Sequence, residues 1–201
     1  NSQLPTPTST MRIRRKTAPI PPESIVFDLD GTIIDQRPVY QELAKARGYP
    51  VTGADVNYNR LREQIPPDIL ATLDAAYLGD GTKNAPPMPG ALDVLRDYST
   101  SAYIVTARGT EYERPGRSWL QRNLPVFPAD HVFVFPSTAA KARFLSELEV
   151  ALVIDDQIAP LKALQPETAG YLFDPDGAFP DEGGAGLKVL RSWEAIRGIL
   201  E

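Results

Sequence analysis

The chain has 201 residues, enough for one domain with a proper hydrophobic core and too few for a multi-enzyme assembly. Hydrophobic residues make up 42% and charged residues 23%, as in an ordinary soluble globular protein, and no apolar run approaches bilayer-spanning length. A formal charge of -5 offers no general attraction for long nucleic acid; with no cysteine and only His131, disulfides, thiolate metal sites and a Cys nucleophile are excluded, so a metal must sit mainly among oxygens.

Residues 1–23 are rich in Pro, Ser and Thr and carry a basic knot at Arg12, Arg14, Arg15 and Lys16. Such a composition cannot bury a core, so a mobile tail is expected, with Met11 either a start or an internal residue of an extension. The knot lacks interleaved aromatics and a periodic face, which favours a solvated tail over a binding site. The tail also lacks the apolar stretch of a signal peptide, which makes the cytoplasm the expected compartment.

From Ser24 onward, short apolar runs alternate with amphipathic segments. SIVFDLD, SAYIVTA, HVFVF, ALVIDD and GYLFD are β-branched or aromatic-rich and predict strands, while 118–124, 138–148 and 158–164 have helical spacing. This alternation predicts a doubly wound, Rossmann-like α/β core with a parallel sheet and helices on both faces. Ligands in such sheets bind beyond the carboxyl ends of the strands, and four of the runs end in polar residues there. Between the first and second strands, residues 36–89 contain two or three helical patterns, within 39–49, 54–64 and 66–80, bounded by Arg37-Pro38 and by the proline-rich 85–90. They predict a small α-helical cap, leaving 24–35 and 90–201 as the core. The C-terminal GLKVLRSWEAIRGIL predicts an edge strand and a closing helix capped by Ser192.

The sharpest chemical feature is Asp28-Leu29-Asp30-Gly31-Thr32, directly after Ile25-Val26-Phe27. At an extended strand end, alternation points Asp28 and Asp30 the same way. Two carboxylates so close repel unless a cation or a proton lies between them, which predicts a metal or divided roles. Gly31 permits a turn that a side chain would obstruct.

VFDLDGTIID resembles the first motif of the haloacid-dehalogenase superfamily of aspartyl phosphotransferases. Its further motifs find counterparts in order: Thr106 ending Tyr103-Ile104-Val105-Thr106, Lys141 in Ser137-Thr138-Ala139-Ala140-Lys141, and the acidic pair closing Leu152-Val153-Ile154-Asp155-Asp156. The resemblance spans roughly residues 24–174. It implies Asp28 as nucleophile, Asp30 as alternating general acid and base, Thr106 as a donor to phosphate and Lys141 as the neutralising charge. Magnesium is the implied cation, held by Asp28, Asp155 and the Asp30 backbone carbonyl, with Asp156 ligating directly or through water. The pattern implies hydrolysis of a small soluble phosphate ester, such as a nucleotide or sugar phosphate.

Other readings sit beside these. Asp155-Asp156 also suits a helix N-cap, and Lys162 competes with Lys141 as the motif lysine. Arg108 has two equal roles, reaching substrate phosphate or pairing with a carboxylate. His131 is expected at the start of a strand. Tyr40, Tyr49, Tyr58, Arg60, Arg62 and Tyr77 are conceivable cap contacts, but aromatics at helical spacing favour packing. A dehalogenase would not need Asp30; a phosphonate hydrolase would need a cap lysine such as Lys45. Phosphotransfer to another acceptor and a noncatalytic binding module remain alternatives, and the oligomeric state is open.

Overall fold

A computed structural model describes residues 20–52, 55, 57–179 and 186–201. The basic knot of the N-terminal tail lies outside the described residues, as do positions 53, 54 and 56.

Six strands form one parallel sheet: β1 (Ile25–Phe27), β2 (Ala102–Thr106), β3 (Val132–Val134), β4 (Leu152–Asp155), β5 (Ala169–Phe173) and β6 (Lys188–Leu190), in the order β3-β2-β1-β4-β5-β6. The five apolar runs are strands, and β6 is the expected C-terminal edge. Alternation along each strand divides the core between the two faces. Ile25, Phe27, Ala102, Ile104, Ile154 and Phe173 join the cluster on one face; Val26, Tyr103, Val105, Val153 and Leu172 join the cluster on the other. Helices cover both, so strands buried on two sides read as continuous apolar runs.

On the first face lie α4 (Ala91–Asp97), α5 (Glu113–Asn123) and α8 (Trp193–Leu200), through Val94, Leu95, Trp119, Leu120, Trp193 and Ile196. On the second lie α6 (Thr138–Ser146) and α7 (Ile158–Lys162), through Leu145 and Leu161. Ser192 caps α8 by accepting a 3.1 Å hydrogen bond from the Ala195 amide. Between β1 and α4 run α1 (Arg37–Ala46), α2 (Tyr58–Gln64) and α3 (Pro67–Leu78), then a 3-10 turn, Asp80–Asn84. Their buried Tyr40, Leu61, Leu73 and Tyr77 belong to the same apolar cluster as the first sheet face.

Two helices differ from the periodicity. Helix α5 begins at Glu113 rather than 118, because Pro115 falls in its first turn, where a missing N–H leaves no bond unmade. Helix α4 has seven residues, too few to display two amphipathic repeats, and starts directly after Gly90 at φ 83°.

The strand order sets the position of the site. From β1 the chain steps outward to β2 and β3, then returns to the opposite side of β1 for β4, β5 and β6. The crevice at this switch point opens beyond the carboxyl ends of β1, β2 and β4, where Asp28, Thr106 and Asp155 stand.

Candidate active site

Residue Asp28 follows β1 and is fixed from its backbone: its amide donates to the Ile154 carbonyl of β4 at 2.9 Å. The chain then turns sharply, with the amides of Ile33 and Ile34 donating back to Leu29 O. Gly31 sits at φ +89°, and a Cβ there would lie 2.3 Å from Asp156 Oδ2. Glycine is therefore required twice, by the left-handed backbone and by the close approach of a carboxylate.

Asp155 ends β4, with Asp156 next, and the carboxylates of Asp28, Asp155 and Asp156 each place an oxygen within 4.8 Å of the others. All three are buried. The N-cap residue of α7 is Gln157, whose amide donates to Asp155 Oδ1 at 2.9 Å, so neither aspartate is the cap.

One cation from the chain enters this group. Helix α6, whose cap Ser137 accepts from Ala140 N at 3.2 Å, delivers Lys141 in its second turn. The ammonium donates to Asp28 Oδ1 and lies 2.7 Å from Asp155 Oδ2. Lys162, by contrast, is exposed at the end of α7. Burial acts against the Lys141 charge, but Asp155 and Asp28 outweigh it and its pKa rises. Burial pushes the Asp28 carboxyl up, as do Asp155 and Asp30, against the pull of Lys141. Asp156 is also pushed well up by burial and by Asp28 and Asp155, and its Oδ1 is buried without a hydrogen-bond partner among the described residues. One ammonium does not balance three carboxylates; oxygen-only donors with a spare buried oxygen fit a hard divalent cation.

Asp30 turns elsewhere. Its Oδ1 accepts a 2.6 Å hydrogen bond from Tyr77 Oη, and its Oδ2 a 3.3 Å bond from Thr106 Oγ1. Its carboxylate is thus outside the group of three, leaving its backbone carbonyl as the atom the family pattern assigns to metal. Arg108 Nη2 lies 3.8 Å from Asp30 Oδ1 and donates to Thr82 Oγ1 at 2.7 Å and Leu78 O at 3.3 Å. Both of the roles open to Arg108 meet in this position, since it approaches a carboxylate and also lines the cavity.

That cavity, ≈ 210 Å³, is lined by Asp28, Asp30, Thr106 and Arg108 on the strand side and by Gln36, Tyr40, Tyr58, Arg62, Asp74 and Tyr77 on the side of α1–α3. Asp74 accepts from Tyr40 Oη at 2.6 Å and Tyr58 Oη at 2.9 Å.

Solved structures similar in fold include a HAD family hydrolase from Deinococcus radiodurans R1 with bound phosphate and sodium (19% identity, 91% of this chain and 96% of that one, TM-score 0.53), a haloacid dehalogenase-like protein from Agrobacterium tumefaciens (15%, 89% and 97%, TM-score 0.59), and the HAD-hydrolase YfnB from Bacillus subtilis bound to magnesium (17%, 89% and 98%, TM-score 0.54). The fold is that of the haloacid-dehalogenase hydrolases. No family model matches the sequence, and no curated protein does.

Within this HAD fold the structure brings Asp28, Asp30, Thr106, Arg108, Lys141, Asp155 and Asp156 to one crevice. His131 stands apart at the start of β3, its ring stacked on Tyr103 at 4.0 Å and Nδ1 3.0 Å from Ala102 O. Lys45 is exposed near the end of α1 and does not line the cavity. Sequence reasoning left Gln36, Thr138, Gln157 and Asp74 out, and named Tyr40, Tyr58, Arg62 and Tyr77 as conceivable cap contacts while favouring packing for the aromatics; all four line the cavity. The available signal was Asp74, a carboxylate three residues before Tyr77 and therefore on the inward-facing side of an apolar helix.

Proposed function

We propose that this chain is a magnesium-dependent phosphomonoesterase acting on a small soluble phosphate ester, with α1–α3 as its cap. The observation that carries the proposal is Asp28 at the sheet's switch point, paired with Lys141, grouped with Asp155 and Asp156, and separated in environment from Asp30. Two carboxylates in unlike surroundings are suited to unlike roles. The bound phosphate and magnesium named for two structures of the same fold support it.

In this proposal an oxygen of Asp28 attacks phosphorus while the ester P–O bond breaks. Asp30 gives its proton to the departing oxygen. It then takes a proton from water as that water attacks the aspartyl-phosphate, and phosphate leaves from Asp28. Thr106 Oγ1 donates to a phosphoryl oxygen, and Lys141 keeps the Asp28 carboxylate oriented and offsets charge on the transferred group. Asp28, Asp155, Asp156 and the Asp30 carbonyl are the groups that would hold magnesium; when bound, the ion supplies the positive charge that lets an anionic carboxylate approach an anionic phosphate.

The test is phosphate release from a panel of nucleotides, sugar phosphates and an aryl phosphate, with and without magnesium. Magnesium-dependent release that is lost in Asp28→Asn is expected, and the ranking names the substrate class. Undiminished release by Asp28→Asn would rule the mechanism out.

A further inference from the structure

We infer that Tyr77, carried on α3 outside the strand-end motifs, is a positioning residue that holds Asp30 in the orientation its proton transfers need. This rests on the phosphomonoesterase proposal above and extends it to a residue that the motif pattern does not include.

Tyr77 is 0% exposed, and its ring lies 5.0 Å from that of Tyr40. A phenylalanine would fill the same slot, whereas a buried hydroxyl needs a partner. The hydroxyl finds its partner on Asp30 Oδ1, at 2.6 Å, and not on a residue of its own segment. The neighbouring Tyr40 and Tyr58 instead donate to Asp74, so the Asp30 contact is specific to Tyr77.

The far side of Tyr77 is tied back to the same carboxylate. Its carbonyl accepts from Thr82 Oγ1 at 2.8 Å; Thr82 Oγ1 accepts from Arg108 Nη2 at 2.7 Å; and Arg108 Nη2 stands 3.8 Å from Asp30 Oδ1. A closed ring of polar contacts thus joins α3, the following turn, the loop after β2 and Asp30. A carboxylate hydrogen-bonded at one oxygen by a phenol, with a guanidinium at ion-pair distance from the same oxygen, loses rotational freedom, which is what orientation in a proton transfer requires.

The ring also assigns the exchanging oxygen. Oδ1 is occupied by Tyr77, while the Thr106 contact to Oδ2, at 3.3 Å, is the weaker one. The Oδ2–H bond therefore breaks as the proton passes to the ester oxygen whose bond to phosphorus is breaking. In the second half-reaction Oδ2 takes the proton back from the attacking water.

A double-mutant cycle tests this with p-nitrophenyl phosphate and magnesium, comparing wild type, Tyr77→Phe, Asp30→Asn and the double variant, with thermal unfolding as the check that each is folded. Tyr77→Phe is expected to lower kcat by about tenfold or more with KM within about twofold, the scale of a misoriented catalytic group. In the Asp30→Asn background the same substitution should change kcat by less than about twofold, because the group it acts through is already gone. An unchanged kcat in Tyr77→Phe, or an equal loss in both backgrounds, overturns this inference alone. Failure of wild type to release phosphate from any ester overturns the phosphomonoesterase proposal and this inference with it.

Discussion

The two walls of the cavity are built on opposite electrostatic plans. On the strand-end side, where Asp28, Asp30, Thr106 and Arg108 line the cavity, Asp28, Asp155 and Asp156 gather behind the wall around one buried ammonium, Lys141, and Asp156 Oδ1 has no hydrogen-bond partner among the described residues. The wall contributed by α1–α3 is mostly neutral, with three phenols arranged so that two satisfy Asp74 and one reaches Asp30. The first wall is short of positive charge and suited to an ion and a phosphoryl group. The second is internally satisfied and suited to orienting groups the first wall supplies.

Breaking the strand-end wall should have the largest effect. Lys141→Met removes the ammonium paired with Asp28 and Asp155, leaving buried carboxylates unpaired, and the metal-free protein should lose about 3–5 kcal/mol in urea unfolding. A loss below about 1 kcal/mol would mean that the carboxylates are solvated enough not to need the ammonium.

Magnesium should act next. A ligand that binds only the folded state at a hundred times its Kd adds about 2.7 kcal/mol, so the unfolding temperature should rise with magnesium concentration. The rise should shrink in Asp156→Asn and persist in Asp74→Asn. An equal rise in both variants would place the ion away from the three carboxylates.

Gly116→Ala probes the joint between the walls. A Cβ there would lie 2.0 Å from Arg108 Nη1, so the guanidinium that ties Asp30 to Thr82 and Leu78 must move. A destabilisation of about 1–3 kcal/mol, with a fall in kcat, is expected from overpacking.

The smallest effect belongs to the second wall alone. Burial raises the Asp74 pKa against the lowering effect of its bonds from Tyr40 and Tyr58. A carboxyl raised in the folded state binds more protons folded than unfolded, so its contribution to stability falls as pH climbs from the ordinary carboxylate value through the raised one. Asp74→Asn should flatten that part of the stability-versus-pH curve, measured by urea unfolding across the acidic range.

The same contrast explains what was legible in the sequence. Asp28, Thr106 and Asp155 lie just after or at the ends of apolar runs, and a parallel sheet sends such positions to one edge, so local pattern was enough to gather them. Lys141 required knowing that α6 folds back so that its side chain reaches Asp28 and Asp155, which order along the chain suggests but does not fix. Asp74 was not legible, and Tyr77 was only a conceivable contact set behind packing, because helical periodicity distinguishes inward from outward faces without saying whether the inward face meets apolar core or cavity. The start of α5 was hidden for a similar reason: Pro115 signals a break unless the first turn is already placed.

A covalent phosphoryl group on Asp28 is the central intermediate of the proposed reaction. Rapid acid quenching during turnover, followed by proteolysis and mass spectrometry, tests it directly. The proposal predicts a phosphorylated peptide containing Asp28 that is absent in Asp28→Asn and disappears once substrate is exhausted. Steady phosphate release with no such peptide at any quench time, together with activity in Asp28→Asn, would contradict it.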